Sequence, residues 1–325
     1  MKEIKWAVLG CGVIANEMAV ALQKNGKNIY AVGNRTHEKA AAFAEKYGIG
    51  KVYDDFHEMF TDPEVDVIYI TTPHNTHLGF MKEAIANGKH ILVEKSITPN
   101  SDELDEAIAL AKEKGVIIGE AMTIYHMPIY KELKKILDSG RLGRVNLITM
   151  NFGSFKEYNM KNRFFNRNLA GGAMLDIGVY ALSFIRWFFD SKPDQLLSQV
   201  KPAPTGVDEQ AGLLLTNQEG QMASVMLSLH SKQPKRGMVS CENGFIEIME
   251  YPRAWEAKIT DASTGESEII KAGDNADALA YELADMERAI NGDASAMHLD
   301  YTKDVMDLMT SFRRTWGYTY PEEEK

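Results

Sequence analysis

The chain has 325 residues, 45% of them hydrophobic and 25% charged, which is the balance of a soluble globular protein with length for about two domains. Lys and Arg number 36 against 46 Asp and Glu, a formal net charge of −10, which excludes a nucleic-acid or other polyanion surface but leaves room for a local basic pocket holding one phosphate. Cys11 and Cys241 are too few for a disulfide framework and lack the neighbours of a metal motif, so a reducing, cytoplasmic setting is expected. The apolar run from Trp6 to Leu9 is too short for a secretory signal. No stretch reaches the ~18 apolar residues of a membrane span, so no membrane partner is expected.

Along the first third, short apolar runs alternate with helical patterns. Strand-like runs occupy Ile4 to Leu9, Asn28 to Val32, Lys51 to Tyr53, Val65 to Ile70, His90 to Val93 and Val116 to Ile118. Ile14, Met18 and Leu22 recur at four-residue spacing and stop at Asn25-Gly26. Further helices are predicted over His37 to Tyr47, His77 to Asn87 and Asp102 to Lys114, the last two closed by Gly88 and Gly115. Strands alternating with helices in this way specify an α/β fold with a doubly wound parallel sheet.

Near Met122 the pattern changes, dividing the chain into residues 1–122 and 123–325. After a helix over Tyr130 to Leu137, strand-like runs dominate: Val145 to Phe155, Glu209 to Thr216, Met222 to His230, Met238 to Cys241, Phe245 to Glu250, Trp255 to Thr260 and Ser267 to Ile270. Turns at Asn217 to Gly220, Asn243-Gly244 and Thr264-Gly265 suit an antiparallel sheet. Helices return over Gly172 to Phe189, Ala276 to Asn291 and Tyr301 to Trp316, and Glu322 to Lys325 reads as a frayed tail. In Met222 to His230, Ala223, Val225, Leu227 and Leu229 face one way and Met222, Ser224, Met226, Ser228 and His230 the other. That second face is neither apolar nor charged throughout, which fits a sheet covered on both sides, by this chain or by another subunit.

Gly10-Cys11-Gly12-Val13-Ile14-Ala15 follows the first strand and opens the first helix. Gly10 permits a tight turn, Gly12 lets the backbone approach a pyrophosphate, and Ala15 allows close helix packing, so a dinucleotide site is expected. The second strand ends in Gly33-Asn34-Arg35-Thr36, without the carboxylate that an NAD site places against the ribose hydroxyl. Arg35, Thr36 and Lys39 instead suit a 2′-phosphate, which favours NADP(H) over NAD(H); the plain alternative is a solvated arginine and an N-cap threonine. Thr72-Pro73-His74-Asn75-Thr76-His77 after the fourth strand and Glu94-Lys95 after the fifth fall at the same sheet edge, where ligands of parallel sheets bind. A lysine at a buried strand end is costly as a packing residue, so Lys95 reads as functional. His74 and His77 lack a third ligand, and no metal is expected.

On the helix after Gly171-Gly172, Asp176 and Tyr180 stand four residues apart on one face. The pair reads either as a proton-transfer group with its orienting carboxylate or as a tyrosine that satisfies a buried aspartate. Tyr125, His126, Tyr158 and Arg163 are candidates for contacts with a sugar ring or its hydroxyls.

Taken in order, the Gly10 loop, Thr72-Pro73-His74-Asn75 with His77, Glu94-Lys95, Leu137-Asp138-Ser139-Gly140 and Gly171 to Tyr180 resemble the Gfo/Idh/MocA family over essentially the whole chain. Ser96 stands where the family's Glu-Lys-Pro motif has proline. Tyr180, where many relatives have histidine, is similar to the glucose-fructose oxidoreductase and dimeric dihydrodiol dehydrogenase branches, which favour NADP(H). The resemblance implies an N-terminal Rossmann domain for the dinucleotide and a C-terminal α/β domain, with a large, mostly antiparallel sheet, for substrate and for homodimer or higher homo-oligomer formation. It implies hydride transfer between nicotinamide and a carbinol or carbonyl carbon of a sugar, polyol or related diol. Tyr180 then exchanges the hydroxyl proton, Lys95 supplies the ammonium that draws a tyrosine pKa down from about 10, and Asp176 positions. The competing readings are an NAD(H)-dependent polyol or inositol dehydrogenase and a dinucleotide-sensing regulator without turnover.

Overall fold

Runs that are apolar at every position become central strands, because both faces of a parallel sheet are covered. The computed structural model describes residues 3–324. Its first sheet comprises β1 Trp6–Leu9, β2 Ile29–Gly33, β3 Lys51–Tyr53, β4 Val67–Ile70, β5 His90–Glu94 and β6 Ile118–Ala121. They lie in the order β3-β2-β1-β4-β5-β6 with every neighbouring pair parallel. This is the dinucleotide-binding arrangement, with strand order reversing beside β1. The connecting helices are α1 Val13–Lys24, α2 His37–Tyr47, α3 Phe56–Thr61, α4 His77–Ala86 and α5 Ser101–Lys114. Gly48 and Gly115 end α2 and α5 in the left-handed conformation (φ 68° and 66°), which glycine adopts without steric cost.

The second part carries α6 Thr123–His126, α7 Pro128–Asp138, β7 Val145–Gly153 and α8 Val179–Phe188. It continues with β8 Gln195–Pro202, β9 Asp208–Thr216, β10 Met222–Ser228, β11 Arg236–Cys241, β12 Gly244–Met249, β13 Glu256–Asp261 and β14 Ser267–Lys271. The last helices are α9 Ala278–Ile290 and α10 Leu299–Trp316. The eight strands run β14-β13-β12-β11-β7-β10-β9-β8, antiparallel except for β7 with β10. In β10, Ala223, Val225 and Leu227 are buried while Met222 and Met226 are exposed, as the alternation predicts. β8 has no sequence signature, because none of its residues is buried and its side chains carry no apolar stripe.

The described chain clusters into two compact units, one formed by the chain up to Ala121 with Leu279–Leu299, the other by Met122–Ala278 with Asp300 onward. Residues 279–299 fall in the 123–325 part of the sequence yet belong to the first unit. Leu279, Leu283, Met286 and Ala289 of α9 are buried, and the Trp6 indole donates to Glu287 Oε1 at 3.2 Å.

By composition the segment Arg167–Phe188 is long and apolar enough to cross a bilayer, but 83% of its apolar window is buried in the protein. The stretch from Glu322 is not the frayed tail expected. Pro321–Glu323 forms a turn whose Glu323 receives two bonds from the buried Arg313 guanidinium, at 2.7 and 3.0 Å. Lys325 lies outside the described residues.

Asp62 ties the far end of the first sheet together. Its carboxylate accepts from Lys51 Nζ at 2.7 Å, the Tyr30 hydroxyl at 3.2 Å, the Glu64 amide at 2.9 Å and the Tyr53 hydroxyl. Burial pushes the carboxyl pKa up, but the bonds from Lys51 and Tyr53 outweigh it and hold the group well below the usual carboxylate range. A lowered folded-state pKa stabilises above the unfolded value and that advantage is lost as pH falls through the folded value. Asp62→Ala is therefore expected to cost about 1–3 kcal/mol in urea unfolding at pH 7, with the gap to wild type shrinking below about pH 4; a gap independent of pH would contradict this assignment.

Candidate active site

In the first unit, the sequence-predicted motifs gather at the carboxyl ends of four adjacent strands, β2, β1, β4 and β5. Gly10 has φ +109°, donates its amide to Gly33 O at 2.8 Å, and would place a β-carbon 2.4 Å from Thr71 Oγ1. No larger residue fits. Gly12, the N-cap of α1, has open space on its β-carbon side, and the helix has no side-chain cap. Its first turn offers Val13 exposed, Ile14 half-buried and Ala15 fully buried. Open glycine backbone followed by uncapped helix amides makes a cradle that fits a pyrophosphate.

Beyond β2, Arg35, Thr36 and Lys39 are exposed, and Asn34 donates to Thr36 O at 3.0 Å. Thr36 is the N-cap of α2 yet makes no side-chain cap bond, so its hydroxyl is not spent on the helix. Lys39 lies within electrostatic reach of Cys11: burial pushes the Cys11 thiol up to about 11, and the Lys39 charge opposes the rise. Lys39 thus stands near the glycine loop, and Gly33 to Thr36 include no carboxylate, while Glu38 lies in the first turn of α2 and Asp54 pairs with His37.

After β4, Thr72 and Pro73 lead into a turn over His74–Thr76, braced by the Thr76 hydroxyl against Thr72 Oγ1 and Pro73 O, both at 2.7 Å. Asn75 sits half-buried in this turn. His74 Nε2 lies 3.1 Å from Lys95 O. His77 corrects the sequence reading. It is fully buried, with Nε2 2.8 Å from Thr72 O and Nδ1 3.0 Å from Ile97 O, so it is wedged between the segments after β4 and β5, and as a neutral ring it donates to one of the two carbonyls. Burial lowers its pKa, against the carbonyls of Thr72, Ile97 and Ser96. Its ring has no nitrogen left for a cofactor or metal. Among the described residues, no group of three or more His, Cys, Asp and Glu could hold a metal ion. Glu94 accepts the Tyr69 hydroxyl, Lys95 is half-buried, and the peptide to the buried Ser96 is cis.

In the second unit, Asp176 sits in a π-helical turn, Met174–Gly178, that continues directly into α8, where Tyr180 is half-buried. Such turns recur at functional sites. Asp176 is 8% exposed, and its Oδ1 lies 3.6 Å from the guanidinium of Arg163, which stacks on Phe164 at 4.1 Å. The two glycines before the turn have steric reasons. A β-carbon at Gly171 would meet Arg163 O at 2.6 Å, and one at Gly172 would meet Asp208 Oδ1 at 2.2 Å.

Tyr158 is 45% exposed, 4.7 Å from the His230 ring and 5.3 Å from that of Phe165. Glu209 beside its hydroxyl raises its pKa. Phe155, 62% exposed and stacked on His230, extends this aromatic surface and was not singled out in the sequence. Tyr125 is a correction: it is fully buried, stacked on Trp187 and edge-on to Tyr301, so it presents no face to a substrate. His126 is buried likewise. Sequence reasoning also passed over Asp208, a buried carboxylate beside the Asp176 turn. Its signal was available as an acidic pair, Asp208-Glu209, opening a strand that runs on to Leu213-Leu214-Leu215.

Comparison with known proteins agrees with this arrangement. Residues 4–122 match the oxidoreductase family model with the NAD-binding Rossmann fold, and residues 130–247 match the GFO/IDH/MocA C-terminal domain. The trans-1,2-dihydrobenzene-1,2-diol dehydrogenase of Xenopus tropicalis is 31% identical over 248 residues, covering 75% of this chain and 74% of that protein. The Mus musculus enzyme of the same name is 26% identical over 99% of both chains. Among solved structures, an aldose-aldose oxidoreductase from Caulobacter crescentus complexed with glycerol superposes with TM-score 0.86 at 22% identity, over 97% of this chain and 98% of that one. A 3-ketoreductase from Actinomadura kijaniata, in complex with NADP and TDP-benzene, superposes with TM-score 0.85 at 20% identity over 96% and 98%. The glycine cradle and the uncapped helix that follows it thus belong to an NAD(P)-binding oxidoreductase, and the chain is a member of the Gfo/Idh/MocA family.

Proposed function

We propose that this oxidoreductase is NADP(H)-dependent and interconverts the carbinol and carbonyl forms of a cyclic diol, sugar or polyol. The observation that carries the cofactor preference is the exposed set Arg35, Thr36 and Lys39 after β2, where the strand end Gly33 to Thr36 lacks the carboxylate of an NAD site. The names of the curated relatives, which are dehydrogenases of a cyclic vicinal diol, support the substrate class. An NAD(H)-dependent polyol dehydrogenase is the competing reading, and a regulator without turnover is disfavoured by Lys95, Asp176 and Tyr180 occurring together.

In this reading residues 1–122 hold the dinucleotide through Gly10, Gly12, Val13, Ile14, Asn34, Arg35, Thr36, Lys39, Thr72, Pro73, His74, Asn75, Glu94 and Lys95, the last on the nicotinamide ribose, while residues 123–325 supply the substrate contacts. The bound nicotinamide gives or takes the hydride. Tyr180 donates a proton to the substrate oxygen in reduction and accepts one in oxidation. Lys95 is the candidate ammonium for bonding a substrate oxygen. Asp176 and Arg163 form an ion pair that orients substrate hydroxyls, and Tyr158 with Phe155 offers rings for stacking on an apolar ring face.

A second copy of the chain is the proposed partner for the open face of the eight-stranded sheet. The strand registers put Leu197, Leu214, Met222, Met226, Leu147, Met249 and Ile269 on one face, and all are exposed. These exposed apolar side chains alternate on that face with Ser224, Arg236, Glu247 and Lys258, a mixed surface of the kind that subunit interfaces bury.

Arg35→Asp is expected to weaken NADP⁺ at least tenfold more than NAD⁺ in kcat/KM measurements with trans-1,2-dihydrobenzene-1,2-diol, sugars and polyols as hydride donors; equal effects on both would place Arg35 away from the phosphate. Light scattering at micromolar concentration should give at least twice the chain mass, and a monomer would reject the sheet-face contact.

A further inference from the structure

Asp208, the first residue of β9, has no part in the roles assigned above, yet it is fully buried and tightly held. Its Oδ2 accepts the Met174 amide at 2.6 Å, and its Oδ1 accepts the Tyr318 hydroxyl. Met174 is the first residue of the π-helical turn that contains Asp176 and runs into Tyr180. Tyr318 lies in the C-terminal segment, which is itself anchored on the same region. The Tyr320 hydroxyl donates to Gly171 O at 2.7 Å, Arg167 Nε to Thr319 O at 2.7 Å, and Arg313 pairs with Glu323.

The approach of the carboxylate is possible because residue 172 is glycine: at φ +124°, a β-carbon there would stand 2.2 Å from Asp208 Oδ1. Burial pushes the Asp208 carboxyl up to about 6, against the Tyr318 and Met174 bonds and the Arg313 charge. A desolvated carboxylate is an expensive way to satisfy one amide and one hydroxyl. It is understandable where a fixed backbone position is needed.

We propose that Asp208 is the positioning residue for the Asp176 to Tyr180 segment: its carboxylate fixes the Met174 amide, and Tyr318 of the C-terminal segment fixes the carboxylate. Asp208 touches neither substrate nor cofactor in this account, which rests on the catalytic reading of Asp176 and Tyr180. Its neighbour Glu209 accepts Lys201 at 2.8 Å and lies beside Tyr158, so the acidic pair braces two parts of the substrate half.

Hydrogen exchange by mass spectrometry over residues 173–180 tests the proposal in wild type, Asp208→Ala, Asp208→Asn and Tyr318→Phe. NADPH fluorescence titration and turnover of trans-1,2-dihydrobenzene-1,2-diol with NADP⁺ are followed in parallel. Asp208→Ala is expected to speed exchange at 174–180 at least tenfold and to lower kcat at least tenfold, with substrate KM and NADPH Kd within threefold of wild type. Asp208→Asn, whose amide oxygen still accepts the Met174 amide, recovers most of both, and Tyr318→Phe falls between wild type and Asp208→Ala. Unchanged exchange in the variants, or faster exchange with unchanged kcat, overturns the proposal. Where Asp208→Ala does not fold, Tyr318→Phe and Asp208→Asn make the same comparison. A wild type that turns over no diol counts against the substrate class, and exchange alone then decides whether Asp208 holds the segment.

Discussion

At Gly10 a β-carbon would stand 2.4 Å from Thr71 Oγ1, and at Gly172 it would stand 2.2 Å from Asp208 Oδ1, both far inside van der Waals contact. Each glycine also has a positive φ, +109° and +124°, which larger residues adopt only with strain. The shared constraint is close approach of a backbone to a polar group just before a helical segment. In the first unit it leads to the uncapped amides of α1, and in the second to the turn bearing Asp176. Both segments therefore begin where the chain has given up a side chain for backbone precision.

A net charge of −10 coexists with an exposed basic group after β2, because a single dinucleotide needs only local charge. Both units bury carboxylates, Asp62 and Glu120 among them in the first. Three in the second are paired. Asp176 faces Arg163, Asp208 is held by Met174 and Tyr318, and Glu209 meets Lys201. Such groups are strongly destabilising when stripped of a partner, which makes them suited to fixing geometry.

Much of this was legible in the sequence, for identifiable reasons. Strands β1 and β4 are apolar at every position, and the glycine loop follows β1 directly, so the parallel sheet and its ligand edge could be read without structure. Helix α3 was missed because its six residues complete less than two turns, and β8 because its side chains carry no apolar alternation. His77 was misread because a histidine inside a binding motif looks like a ligand until the Ile97 carbonyl 20 residues away is seen against it. Tyr125 failed because sequence does not say which way an aromatic points. The acidic pair Asp208-Glu209 flagged Asp208, but its role did not follow, because its partners lie 34 and 110 residues away.

The central claim is that the first unit binds NADP(H) and that Lys95 is needed for chemistry rather than for binding. Single-turnover NADPH oxidation with a carbonyl substrate, in wild type and Lys95→Met, measures this directly. The account predicts that Lys95→Met binds NADPH within a few-fold of wild type yet oxidises it at least a hundredfold more slowly, a loss of about 2.7 kcal/mol or more in transition-state stabilisation. Near-normal oxidation by the variant would contradict it.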